Sequence, residues 1–140
     1  EPAPPQERKA CLGRFPLDRT VASPDSVQRA ADLLASARRP LVIAGGGVHI
    51  SGAHEQLVRL QDEAHLPVAT TVMGKGAVDE RHPLSVGVMS FFMGPNGATP
   101  HLRPVVADAD VILLVGSPTN QNASDSWKLR FSPITMRGIS

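Results

Sequence analysis

The sequence predicts an α/β fold, a parallel β-sheet covered by helices on both faces. Two observations carry this expectation. Leu41-Val42-Ile43-Ala44 and Val111-Ile112-Leu113-Leu114-Val115 are unbroken apolar runs, which suit strands buried on both faces of a parallel sheet. Stretches of helical period alternate with these runs. Short alternating strands and helices imply parallel strands joined by right-handed crossovers.

The elements follow in chain order. Residues 1–22 read as a linker, with Pro2, Pro4 and Pro5 and no apolar period; such composition favours an extended chain. Ser23-Pro24-Asp25 opens a helix as cap, first-turn proline and first-turn acid. Val27, Ala30, Ala31, Leu34 and Ala35 then share one apolar face. Pro40 stops the helix, and Arg38 and Arg39 suit the negative end of its dipole. Residues 41–44 form the first strand, and Gly45-Gly46-Gly47 follows directly. A second helix is expected from about Ser51, with Ala53, Leu57, Leu60 and Ala64 on one face. Residues 67–71 read as the next strand, followed by a glycine-rich turn at residues 73–78. A polar stretch at residues 79–83 leads into Leu84-Ser85-Val86-Gly87. Residues 91–97 read as a loop. Thr99-Pro100 opens a third helix with Leu102, Val105 and Val106 inward, closed by Asp110. Val111–Val115 is the clearest strand, and Gly116-Ser117 ends it. No internal repeat is present.

Composition bounds the class. A chain of 140 residues is the size of one domain. A formal net charge of +1 gives no field that would draw nucleic acid or a membrane surface. The single cysteine, Cys11, excludes an intrachain disulfide and a cysteine-based zinc cluster. No apolar run approaches the ~20 residues of a membrane span, and a cytoplasmic location is the default expectation.

Chemistry points to one edge of the sheet. In open parallel sheets ligands bind beyond the carboxyl ends of the strands. Three glycine-bearing turns fall at such ends: Gly45–Gly46–Gly47, Gly74 to Gly76, and Gly116-Ser117. Glycines let backbone approach a ligand, and the helix after Gly47 would aim its positive end at a phosphate. Tight strand-to-helix turns use glycine for purely architectural reasons as well. GxGxxG is not met, because Ile50 stands where its third glycine belongs, and GxxxxGK[ST] fails because Ala53 follows Gly52. No HExxH or GxSxG occurs. The five histidines read as scattered surface residues, except that His49 lies in the loop at the ligand edge. Phe91, Phe92 and Trp127 are the large loop aromatics, read as packing groups for the core or for a partner domain.

The residues from Arg39 to Ala53 resemble the opening of the central domain of thiamine-diphosphate-dependent enzymes of the acetolactate synthase and oxalyl-CoA decarboxylase group. The resemblance continues through residues 66–77, 82–87, 109–117 and 119–122. It covers residues 23–127 and leaves 128–140 as an irregular tail. It implies a Rossmann-like, three-layer fold of the kind shared with sirtuins, with six parallel strands in the family. The last of these should follow Trp127, where residues 131–140 do not fit it, so the sheet is expected to be one strand short.

The resemblance also implies a role. The family's subunits carry an N-terminal domain with the thiamine-activating glutamate. Their C-terminal domain has a Gly-Asp-Gly motif that holds Mg²⁺ and the diphosphate. No Gly-Asp-Gly occurs in this chain. The expectation is therefore a central, structural domain, an excised or truncated one, that is not catalytic alone. Its partners would be the N- and C-terminal domains and a further copy in a homo-oligomer. Thiamine diphosphate and Mg²⁺ are expected only in the full-length parent. The family's central domain binds FAD in acetolactate synthase, ADP in oxalyl-CoA decarboxylase, and nothing in many relatives. Position by position, Gly45, Gly46 and Gly47 match glycines lining the flavin nucleotide. Thr71, Met73 and Gly74 lie where the second strand meets the cofactor. Gly116 and Ser117 precede a segment in which flavin-binding members have an arginine and an aspartate, here Pro118 and Asn120. Gly87-Val88-Met89-Ser90 replaces a glycine-rich stretch of the flavin binders. These departures favour an empty vestigial site over FAD or ADP. Two alternatives remain at this stage: a stand-alone FAD-, ADP- or CoA-binding module, and an NAD-dependent enzyme of sirtuin-like fold.

Overall fold

The computed structural model describes residues 21–89 and 91–118, with backbone alone at Phe91. The bulk of the expected linker, Asn120, Trp127, the tail and the expected missing strand lie outside the described residues.

The chain runs α1 (Pro24–Ser36), β1 (Pro40–Ala44), α2 (Gly47–Ser51), α3 (His54–Glu63) and β2 (Val68–Thr70). It continues through a 3₁₀ turn (Val72–Gly74), β3 (Ser85–Val88), 3₁₀ turns at Phe91–Met93 and Pro100–Leu102, α4 (Arg103–Ala107) and β4 (Val111–Val115). The four strands form one parallel sheet in the order β3-β2-β1-β4. Chain progression runs from β1 through β2 to β3 on one side, then returns to place β4 on the other side of β1. The direction of winding therefore reverses between β1 and β4, the topological switch point where open α/β sheets form their crevice.

Side-chain alternation along β1 builds the two halves of the core. Leu41 and Ile43 pack with Ala69, Met89, Met93, Val106 and Ile112 on one face. Val42 and Ala44 pack with Val48, Leu57, Leu66, Val68 and Ala77 on the other. Helix α4 covers the first face through Val106, while α2 and α3 cover the second through Val48 and Leu57, and Leu34 of α1 packs against it. This is the expected three-layer α/β arrangement. Each fully buried Val, Leu, Ile or Met side chain among them contributes about 1.5–3 kcal/mol by leaving water.

Several expectations are corrected. The segment 84–87, left without an element in the sequence, contributes β3 at Ser85–Val88. Ser85 and Gly87 break its apolar run, and the pairing with β2 shifts register between Val68 and Ala69. Gly87 has φ 100° there, a conformation that glycine alone adopts without strain. The second helix begins at Gly47 rather than Ser51 and breaks at Gly52, whose φ of 65° caps α2 before α3 starts at His54. Leu57 is buried in α3, whereas Ala64 is its exposed cap.

The apolar face of α1 is only partly used. Ser23 does cap it, accepting from the N–H of Ser26, but Val27, Ala31 and Ala35 are exposed and Ala30 and Leu34 half-buried. The helix ends at Ser36, so Arg38 and Arg39 lie beyond its last turn. Their backbone N–H groups donate to the Asp110 carboxylate at 2.8 and 3.0 Å. Asp110 thus ties the start of β1 to the start of β4 instead of closing a helix. The donation from Arg38 above all, and from Arg39, holds the Asp110 carboxyl below the usual carboxylate range. The third helix is a 3₁₀ turn followed by the short α4, with Val106 buried, Leu102 half-buried and Val105 exposed. In the loop before it, the buried core plug is Met93, while Phe92 is half-buried.

Candidate functional site

The three glycine-bearing turns meet at the carboxyl edge, and they meet each other. The N–H of Gly45 donates to the Val115 carbonyl and that of Gly47 to the Gly116 carbonyl, both at 2.8 Å. A Cβ at Gly45 would run into the Gly116 carbonyl oxygen and the Ser117 Cβ, and one at Gly47 would lie 2.6 Å from the Gly116 Cα. From the other side of β1, the N–H of Thr71 donates to the Ala44 carbonyl at 2.8 Å. A Cβ at Gly74 would strike that same carbonyl. Thr71 caps the 3₁₀ turn, its hydroxyl accepting from the Gly74 N–H at 3.2 Å. The edge is an interlock of backbone against backbone, and side chains are excluded because there is no room for them.

This packing decides what the first helix turn can offer. Helix α2 has five residues, and the first-turn N–H of Gly47 is occupied by the Gly116 carbonyl. The Gly47 N–H is thus committed to the end of β4 rather than free at the edge. Gly46 differs from its neighbours. It is half-buried, and the nearest atoms to a Cβ there belong to Met73, its Cβ at 3.2 Å and its carbonyl oxygen at 3.3 Å. Beside it, Met73 is 75% exposed and Ile50 is 80% exposed. The edge thus presents an apolar rim beside Gly46, with Pro118 directly after Ser117 in the chain, and the amides of Gly45 and Gly47 are bonded to the Val115 and Gly116 carbonyls.

His49 projects from α2 toward the turn after β2. Its Nε2 lies 3.1 Å from the Lys75 carbonyl oxygen, and its Nδ1 lies 2.8 Å from Nε2 of His54. The two rings are tilted by 48° with centroids 4.9 Å apart. Its pairing with His54 was not anticipated, because the spacing of five crosses the helix break at Gly52. Elsewhere His82 Nε2 lies 3.1 Å from the Asp62 carboxylate.

Of the ten candidate residues, Gly45, Gly46, Gly47, Thr71, Met73, Gly74, Gly116 and Ser117 converge on the interlock, and His49 stands one helical turn away. Asn120 lies outside the described residues. Ala44 and Val115, whose carbonyls anchor the interlock, were not singled out in advance, since a backbone acceptor leaves no mark on residue type. Among the described residues no helix is long and apolar enough to cross a membrane.

Comparison with known proteins agrees with this architecture. The family model described as "Thiamine pyrophosphate enzyme, central domain" matches residues 27–139. The chain is 40% identical over 97 residues to a "Probable acetolactate synthase large subunit" of Methanococcus aeolicus, covering 69% of this chain and 15% of the relative. It is 43% identical over 98 residues to a protein of the same name from Methanocaldococcus jannaschii, covering 70% of this chain and 16% of that relative. It is 38% identical over 97 residues to "Oxalyl-CoA decarboxylase" of Escherichia coli (strain K12), again covering 69% of this chain and 15% of the relative. The matched region thus spans about a sixth of the relatives' length. With this sheet order, this carboxyl edge and a family match over most of its length, the chain belongs to the thiamine pyrophosphate enzyme central-domain family.

Proposed function

We propose that this chain serves as the structural central domain of a thiamine-diphosphate-dependent carboligase or decarboxylase of acetolactate synthase type, and that it is not catalytic alone. The observation that supports this reading most is the switch point between β1 and β4. In a ligand-binding α/β domain it would be a crevice, but here the Gly116 carbonyl and the Gly47 N–H close it. The missing Gly-Asp-Gly motif points the same way. In the full-length parent, thiamine diphosphate and Mg²⁺ would be held by N- and C-terminal domains, with this domain setting their spacing, and the parent would act as a homo-oligomer.

The test is calorimetric titration of the purified chain with thiamine diphosphate and Mg²⁺, alongside an assay of pyruvate consumption. The expected result is neither binding nor turnover. Saturable binding or turnover by the chain alone would overturn the reading.

A weaker nucleotide function is carried by Gly46 and the exposed rim of Ile50 and Met73. In this reading the rim stacks against the ring system of FAD or ADP, and Gly46 lets that ring approach the backbone. Gly45, Gly47, Thr71, Gly74, Gly116 and Ser117 hold the rim in place rather than touch phosphate. Thermal shifts with FAD and ADP test it. A shift abolished by Gly46→Val supports the site, and no shift with either nucleotide rejects it.

A further inference from the structure

Beyond the glycine edge, His49 and His54 set two imidazoles side by side where α2 meets α3. We propose that these two imidazoles form an open site for a divalent transition-metal ion of the zinc type, independent of any nucleotide or thiamine chemistry.

The Lys75 carbonyl orients the His49 ring. A carbonyl oxygen only accepts, so His49 must carry its ring hydrogen on Nε2 to make the 3.1 Å contact. That leaves the lone pair of His49 on Nδ1, facing Nε2 of His54 at 2.8 Å. A histidine oriented by donating its other N–H to a backbone carbonyl is the arrangement that metal-ligating histidines adopt. The ammonium of Lys75 does not crowd the pair, since it is directed to the Glu80 carboxylate at 3.9 Å.

At present a hydrogen on His54 Nε2 fills the space between the rings. A metal ion takes its place when His54 shifts that hydrogen to Nδ1, a neutral tautomer change that frees the Nε2 lone pair. With metal–nitrogen bonds of about 2.0–2.1 Å at tetrahedral angles, the two nitrogens stand roughly 3.3–3.4 Å apart. The pair therefore has to open by about half an ångström from its present separation. The two lone pairs must also tilt from facing each other to converge on the ion; the exposed His49 ring tilts about its Nε2 contact with the Lys75 carbonyl, and the half-buried His54 ring turns toward it. The helix break at Gly52 sets the spacing, bringing a residue of α2 beside the first residue of α3. Among the described residues no group of three or more His, Cys, Asp or Glu side chains is assembled for a metal. The remaining positions would be taken by water or an external ligand, as in sites that keep open coordination. Imidazole nitrogen prefers zinc, nickel or copper over magnesium.

The experiment is calorimetric titration of the full chain with ZnCl₂ and, separately, MgCl₂, followed by NMR of the imidazole nitrogens. The expected result is one Zn²⁺ per chain, with the His49 and His54 resonances shifted and no response to Mg²⁺. His49→Gln and His54→Gln should each weaken Zn²⁺ binding at least about tenfold, while His101→Gln should leave it unchanged. Circular dichroism confirms that each variant is folded. Absence of saturable Zn²⁺ binding, or binding that survives both pair variants, would overturn the proposal.

Discussion

Replacing Gly45 with alanine separates an architectural edge from an open ligand loop. The added Cβ would meet the Gly116 carbonyl and the Ser117 Cβ and Cα, the last at 2.6 Å. Two of those three atoms are backbone and the third is a Cβ fixed to it, so no flexible side chain can swing away. Overpacking of this kind costs about 1–3 kcal/mol, and the rigid wall places it at the upper end. Alanine also restricts the unfolded chain, which returns about 0.4–1 kcal/mol. The net loss is about 2 kcal/mol. With a urea m-value of about 2 kcal/mol/M, the unfolding midpoint drops by about 1 M. Gly46→Ala is the milder comparison: the nearest atoms to its Cβ are the Met73 Cβ at 3.2 Å and carbonyl oxygen at 3.3 Å, only a few tenths of an ångström tight, and the midpoint should fall by less than about half as much. Equal midpoints for Gly45→Ala and Gly46→Ala would refute the interlock.

Other expectations follow from the same packing. Met93→Ala removes a fully buried core plug and should cost about 2–4 kcal/mol in urea unfolding, whereas Phe92→Ala, at a half-buried position, should cost less. Ser85→Ala deletes the acceptor of the buried Gln61 amide, 3.4 Å away, and should cost about 1–3 kcal/mol; Ser85→Thr should recover part of it. The Asp110 carboxyl is lowered by the N–H groups of Arg38 and Arg39. Its contribution is therefore full above the ordinary carboxylate range near pH ~4 and is lost as pH falls through the lowered native value. Asp79, lowered first of all by its hydrogen bond with the Arg81 side chain, acts in the same direction. Melting temperatures from pH 6 to pH 3 should fall less steeply for Asp110→Asn than for the parent, and an unchanged slope would contradict the assignment.

Strands β1 and β4 were legible because their residues are apolar without interruption, although only β1 is buried on both faces. Leu41 to Ala44 and Val111 to Val115 needed no partner to be recognised. Ser85–Val88 was not, since its alternation rests on Val86 and Val88 alone and is interrupted by a glycine at positive φ. The face of α1 read as core from its period, yet Val27 is 53% exposed, because period reports which residues share a face and not whether anything covers it. At the candidate site, glycine spacing located the right edge. It could not reveal that the amides of Gly45 and Gly47 are already bonded, as their acceptors are the carbonyls of residues seventy positions away. The His49–His54 pair was hidden for a related reason: a spacing of five becomes a contact only when Gly52 interrupts the helix.

The central claim is that the switch point is closed by the protein's own backbone. Amide hydrogen exchange at Gly45 and Gly47 in the ligand-free chain tests it most directly. The account predicts that both exchange as slowly as the amides of Val42 and Ile43 inside β1, because their acceptors at Val115 and Gly116 are in place at 2.8 Å. Exchange at the rate of an open loop, slowing only when FAD or ADP is added, would contradict it.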